Sequence, residues 1–172
     1  MTISGPGLPH PLLLVAAGPA AAVAALQQQA GPQLSSALGL PWLQPLPHQV
    51  PHQALGLLAD QGPGLVPLPV DPGLPLPGAA GHWAEALGAW RQPVLLVLAG
   101  DQLQSGLPAA MVALLRQWQV PLVGLVQWGG CWDPDARRGD GLPWLGGLAP
   151  GGVEPGELAR ALERRWRQIA GD

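Results

Sequence analysis

The chain has 172 residues, a net charge of −3 and 11% charged side chains. That length suits one domain with a real core, and the absence of a basic run argues against nucleic-acid binding through a positive surface. There is no Lys, which excludes Schiff-base chemistry, a lysine general base and a phosphate-loop lysine. Asn, Tyr and Phe are absent too, and all eight positive side chains are Arg. Aromatic bulk comes from eight Trp, whose indole N–H groups need partners wherever they are buried. Low charge favours a partner covering part of the surface, although a genomic composition bias accounts for it more simply.

Residues 11–26 are apolar, but no Lys or Arg precedes them and Pro19 interrupts them. They read as neither a secretory signal nor a bilayer span, so the expectation is a cytoplasmic protein with no membrane contact. A first strand over 12–17 and a first helix over 20–29 are predicted. Residues 31–53, rich in Pro, Gln and Leu, read as a long loop with at most one helical turn around 34–38. The short apolar run 54–59 reads as a second strand. Residues 60–78 are dense in Pro and Gly and read as an extended loop kept out of any ladder, either a lid over a site or a spacer. Trp83, Ala86, Leu87 and Trp90 then recur at helical spacing over 79–90.

Residues 92–130 read as strand, helix, strand. The runs 94–99 and 120–126 are unbroken apolar, as in parallel strands covered on both faces. Between them Leu107, Ala110, Met111, Leu114, Leu115 and Trp118 follow a helical period. The crossover must be right-handed, and ligand sites in such sheets lie past the strand ends, here 100–106 and 128–141. A polar loop over 128–142 leads to a last strand over 142–148. A helix over 154–170 follows, with Pro155 in its first turn, Gly171 at its end and Leu158, Leu162, Trp166 and Ile169 as its buried stripe. The fold class is therefore α/β: one domain over 1–172, a small, mostly parallel sheet of about four to five strands with helices on both faces.

Few residues carry a chemical motif. Asp60 is a metal-ligand candidate, but a lone Asp in a Gly-rich stretch is more often a turn residue. Asp101 lies just past a buried strand, where it serves a site or caps the next helix. His48 and His52 bind a metal only on a helix, which Pro51 argues against. Asp133, Asp135 and Asp140 have calcium-loop-like spacing, but Arg137 and Arg138 among them point to solvated loop charge. Ser105 lacks a His partner and a GxSxG context. Cys131, the one cysteine, cannot form an internal disulfide and has no nearby base in sequence, so it reads as an inert thiol.

Four segments carry a family likeness in order: DQGPGLVPL at 60–68, the Pro-Val-hydrophobic strand with its loop and Ala-Leu-rich helix at 93–111, VPLVGLVQ at 120–127, and the Leu-Pro-x-Leu-Gly strand with a Glu-Leu-Ala-x-x-Leu helix at 142–162. With these, the chain from Ala54 onward resembles the dethiobiotin synthetases, within the larger group of P-loop proteins that includes the cobyrinate amidases. The resemblance implies a P-loop-NTPase-like sheet, dimers with the site near the interface, and Mg-ATP used to activate a diamine carbamate that closes to a ureido ring. It places Asp60 where the magnesium carboxylate belongs; the ligand-contact candidates are Asp60, Gly62 and Gly64 in that segment, Asp101 and Ser105 past the third strand, and Trp128 past the fourth.

The sequence departs from that family where the chemistry lies. VAAGPAAAVAAL stands where GxxxxGK and a following Ser or Thr belong, so the phosphate nest and magnesium hydroxyl are missing. Trp128 stands where a base-reading Asn is expected. The reading is a degenerate member: an accessory or binding protein possessing no ATP-ligase activity and needing no cofactor, with a protein partner or a second copy, linked to biotin synthesis. The alternatives are a divergent ATP-dependent synthetase using Asp60, Asp101 and Arg residues with Mg-ATP, and a structural α/β interaction module.

Overall fold

The computed structural model describes residues 10–47, 50–78, 81–148 and 153–171. Five strands pair in parallel throughout: β1 (Leu12–Val15), β2 (Leu65–Pro67), β3 (Val94–Ala99), β4 (Leu122–Trp128) and β5 (Trp144–Leu148). Their order is β2-β1-β3-β4-β5, so the winding reverses between β1 and β3. Among them lie α1 (Ala20–Leu38), α2 (Pro51–Ala59), α3 (Trp83–Ala89), α4 (Leu107–Gln117), α5 (Pro134–Gly139) and α6 (Pro155–Ala170).

Strand alternation assigns the two faces. Leu12, Leu14 and Ala16 face α1 and α6, packing with Val23, Leu34, Leu158 and Leu162. Leu13, Val15 and Ala17 face α2, α3 and α4, packing with Leu58, Leu87, Met111 and Leu115. A sheet covered on both sides has no polar face, which is why β1, β3 and β4 read as continuous apolar runs.

The structure corrects the sequence reading at four places. Residues 54–59 are helix, not strand: Pro51, expected to exclude a helix at His52, instead opens α2 at its first position, Ala54, Leu55 and Leu58 are buried on one side, and Leu57 is 62% exposed. The second strand is β2, inside the Pro/Gly-rich stretch 60–78. An edge position and three residues of length make Pro67 tolerable there. The other side of β2 is covered by the segment around Trp42, with Leu65 N–H donating to Pro41 O at 2.9 Å and Leu43 N–H to Leu65 O at 3.0 Å.

The first helix does not stop at Gln29 but runs through Gly31 and Pro32 to Leu38. Pro32 removes one backbone bond. Burial of Val23, Leu26 and Ala30 before it and Leu34, Ala37 and Leu38 after it outweighs that loss. Finally, the polar loop 128–142 contains α5, capped by Asp133, whose Oδ1 accepts from Asp135 and Ala136 N–H at 3.0 Å each.

Candidate functional site

In a parallel sheet the loops after the strand carboxyl ends form the natural crevice, and the winding reversal places it between β1 and β3. In this chain the protein's own side chains bond the backbone at that place. The peptide joining Ala17 and Gly18, just past β1, is held on both of its polar groups. Its N–H donates to Asp71 Oδ2 at 2.7 Å, and its carbonyl accepts from Gln102 Nε2 at 2.9 Å. Asp71 comes from the loop after β2, and its Oδ1 also accepts from Gly73 N–H at 2.8 Å. Gln102 comes from the 3-10 turn Gly100–Gln104 after β3, and its Oε1 accepts from Ala99 N–H at 2.9 Å. Three strand ends are thereby tied at one peptide.

Beneath this clamp Gln27 of α1, 2% exposed, donates from Nε2 to Leu14 O at 2.9 Å and Leu68 O at 2.8 Å. Past β4, Gln127 Nε2 holds Gly129 O at 2.8 Å and Cys131 O at 3.1 Å. Amide side chains here add donors to buried carbonyls, and Leu14 O accepts from Leu68 N–H at 3.0 Å as well as from Gln27. Gln27→Leu keeps the volume but removes a donor from two buried carbonyls. It is expected to cost about 2 kcal/mol, read as a lower urea midpoint at unchanged m-value.

Gly18 has φ +122, and it leads through Pro19 directly into α1. The start of a helix is where a phosphate loop presents N–H groups to an anion. Here the anionic group at that place is the Asp71 carboxylate.

The sequence-predicted residues do not converge on one site. Asp60 caps the end of α2 and is exposed, and its carboxylate makes no hydrogen bond or ion pair among the described residues. A Cβ on Gly62 would meet open space, whereas one on Gly64 would overlap Leu43. Gly64 O accepts from Leu12 N–H at 2.8 Å, which puts the 60–64 stretch at the amino edge of the sheet. Asp101, Ser105 and Trp128 belong to the carboxyl edge. Asp101 is exposed in the 3-10 turn and caps no helix. Ser105 Oγ donates to Gln102 O at 2.8 Å and accepts from Leu107 N–H at 3.3 Å, bracing the start of α4. Trp128 is half-buried against the α1 and α6 layer.

The remaining candidates are absorbed structurally. His52 Nδ1, on α2, accepts from Trp90 Nε1 at 2.9 Å, and His48 lies outside the described residues. Arg138 pairs with Asp135 and Arg137 with Asp140, and Asp140 also accepts from Trp144 Nε1. Cys131 is exposed. Among the described residues no His, Cys, Asp or Glu group is arranged to hold a metal, and no helix is long and apolar enough to cross a membrane.

Sequence reasoning missed Asp71, Gln27 and Gln102. Asp71 reads as a turn residue in VDPG, and its bond to Gly18 spans 53 residues. No protein-family model matches the chain, and no curated protein matches it.

Proposed function

We propose that this chain is a non-catalytic binding or accessory protein on a dethiobiotin synthetase-like scaffold, one that does not perform ATP-dependent ligation. The observation that carries the reading is the clamp on the Ala17–Gly18 peptide, where a carboxylate of the chain takes the N–H beside the start of α1. A nucleotide phosphate approaching that helix would meet the negative charge of Asp71, and no lysine is present to offset it. The link to biotin synthesis rests on the sequence resemblance.

The protein works through a protein partner or a second copy. Supporting this, Val50, Leu57 and Trp90 on the α2 and α3 layer are 54%, 62% and 44% exposed. Large apolar side chains on a surface this poor in charge mark a face suited to burial.

Calorimetric titration with Mg-ATP tests the catalytic side of the reading. The expected result is no micromolar binding that depends on Asp60 or Asp101. Micromolar binding abolished by Asp60→Ala or Asp101→Ala overturns the proposal in favour of a divergent synthetase. Gel filtration and pull-down test the partner side, and a monomer that captures nothing would favour a self-contained structural module.

A further inference from the structure

The amino edge of the sheet, opposite the clamped strand ends, contains a cavity of about 380 Å³ bordered by Arg91, Arg116, Gln119 and Arg165. A smaller one of about 280 Å³ shares Arg116 and Arg165. No carboxylate lines either, and these three arginines form no ion pair among the described residues. Arg165 Nη1 donates to Gln168 Oε1 at 3.2 Å, yet its Nε is buried without a partner among the described residues. Buried guanidinium N–H groups ordinarily find an acceptor.

The backbone gives an independent observation at the same place. Arg91 at φ 47 and Gln119 at φ 55 are the non-glycine residues with positive φ among the described residues, and both border this cavity. Each ends a helix: Gln92 N–H bonds Leu87 O after α3, and Val120 N–H bonds Leu115 O after α4. Glycine makes this turn without steric cost, and the chain uses it at Gly39 after α1. At the two helix ends beside the cavity, side chains are kept despite the strain, a pattern associated with functional sites. The negative carboxyl ends of α3 and α4 attract Arg91 and Arg116. They account neither for Arg165, inside α6, nor for Gln119, which is uncharged.

We propose that this cavity binds a small organic anion. Its carboxylate or phosphate is held by Arg91, Arg116 and Arg165, whose planar forks match oxyanion geometry. Its apolar body rests on Val120, Pro121 and Ile169, which line the same cavity. The volume lies in the range of small-molecule sites, about 300–1,000 Å³. This site is independent of the clamp: its binding responds to Arg165, whereas the synthetase alternative responds to Asp60 and Asp101.

Titration of the full chain at low salt with phenyl phosphate, hexanoate and inorganic phosphate tests it. One of the two organic probes should bind at one per chain, on the order of tenfold tighter than inorganic phosphate, and which one binds identifies the acidic group. Arg165→Gln and Arg91→Gly should each weaken that binding by about tenfold or more. Arg91→Gly relieves the left-handed backbone, so its loss reports the side chain rather than misfolding. The proposal is overturned if neither organic probe binds in the millimolar range, if inorganic phosphate binds equally well, or if both variants bind like the parent.

Discussion

Gly88→Ala is expected to destabilise the fold by about 3 kcal/mol or more, reversing the usual sign of a Gly-to-Ala change in a helix. Gly88 lies in α3 where its carboxyl end meets that of α4. A Cβ there would overlap the Trp118 carbonyl oxygen and lie 2.9 Å from the carbonyl carbon. These are backbone atoms at the end of α4, so no rotamer change relieves the clash. Either α4 moves or α3 frays. Both helix ends lead into the turns at Arg91 and Gln119, so the same change should deform the arginine cavity. Gly56 is the matched control. It lies inside α2, and a Cβ there would meet only Trp90 Cη2 at 3.5 Å, an ordinary contact. Gly56→Ala should therefore be stabilising by up to about 1 kcal/mol. For a chain of this length each kcal/mol moves the Tm by about 2–4 °C. The pair should differ by roughly 10 °C in calorimetric melting. Equal Tm values would mean that the α3–α4 approach is not a tight constraint.

The architecture was legible where burial is two-sided. β3 and β4 announce themselves as unbroken apolar runs, and α4 and α6 by their spacing. It failed where a segment is short. The run ALGLLA fits a strand by hydrophobicity. Only the exposure of Leu57 between Leu55 and Leu58 shows its period to be helical, although Pro51 was a local signal for a helix start. Residues 65–67 hid among prolines because an edge strand tolerates them.

The clamp was illegible for a different reason. Asp71, Gln102 and Gln27 are ordinary loop and helix residues in sequence. Their meaning comes from meeting β1 across separations of 53, 85 and 13 residues. The arginine cavity was equally hidden. Arg91, Arg116 and Arg165 sit on three different elements, and the left-handed turns of Arg91 and Gln119 carry no composition signal, since glycine is what such turns predict. The strand-end rule directed attention to the carboxyl edge and the resemblance to Asp60, while Arg91, Arg116 and Arg165 gather without an ion pair among the described residues at the amino edge.

Trp83→Ala should cost about 3–5 kcal/mol, the range for emptying a large aromatic site. Trp83 is 1% exposed and is the largest fully buried side chain among the described residues, at the first position of α3. It joins Leu55 and Leu58 of α2 and Leu87 of α3 to the face of β1. That layer has few other means of support. α2 and α3 are 9 and 7 residues long, too short to be helical alone. They flank the loop that delivers Asp71 to Gly18, so a collapsed or loosened layer should also free that loop. Trp90→Ala gives the contrast within the same helical period. Trp90 is 44% exposed and its indole bonds His52, so its removal should cost about 1 kcal/mol. Urea unfolding of both variants decides the matter, with hydrogen exchange at Gly18 reporting the clamp. If Trp83→Ala falls within about 1 kcal/mol of the parent, the layer is not anchored by this ring. If it falls by the full amount and Gly18 still exchanges slowly, Asp71 is held by its own turn at Gly73 and not by the α2–α3 layer beneath it.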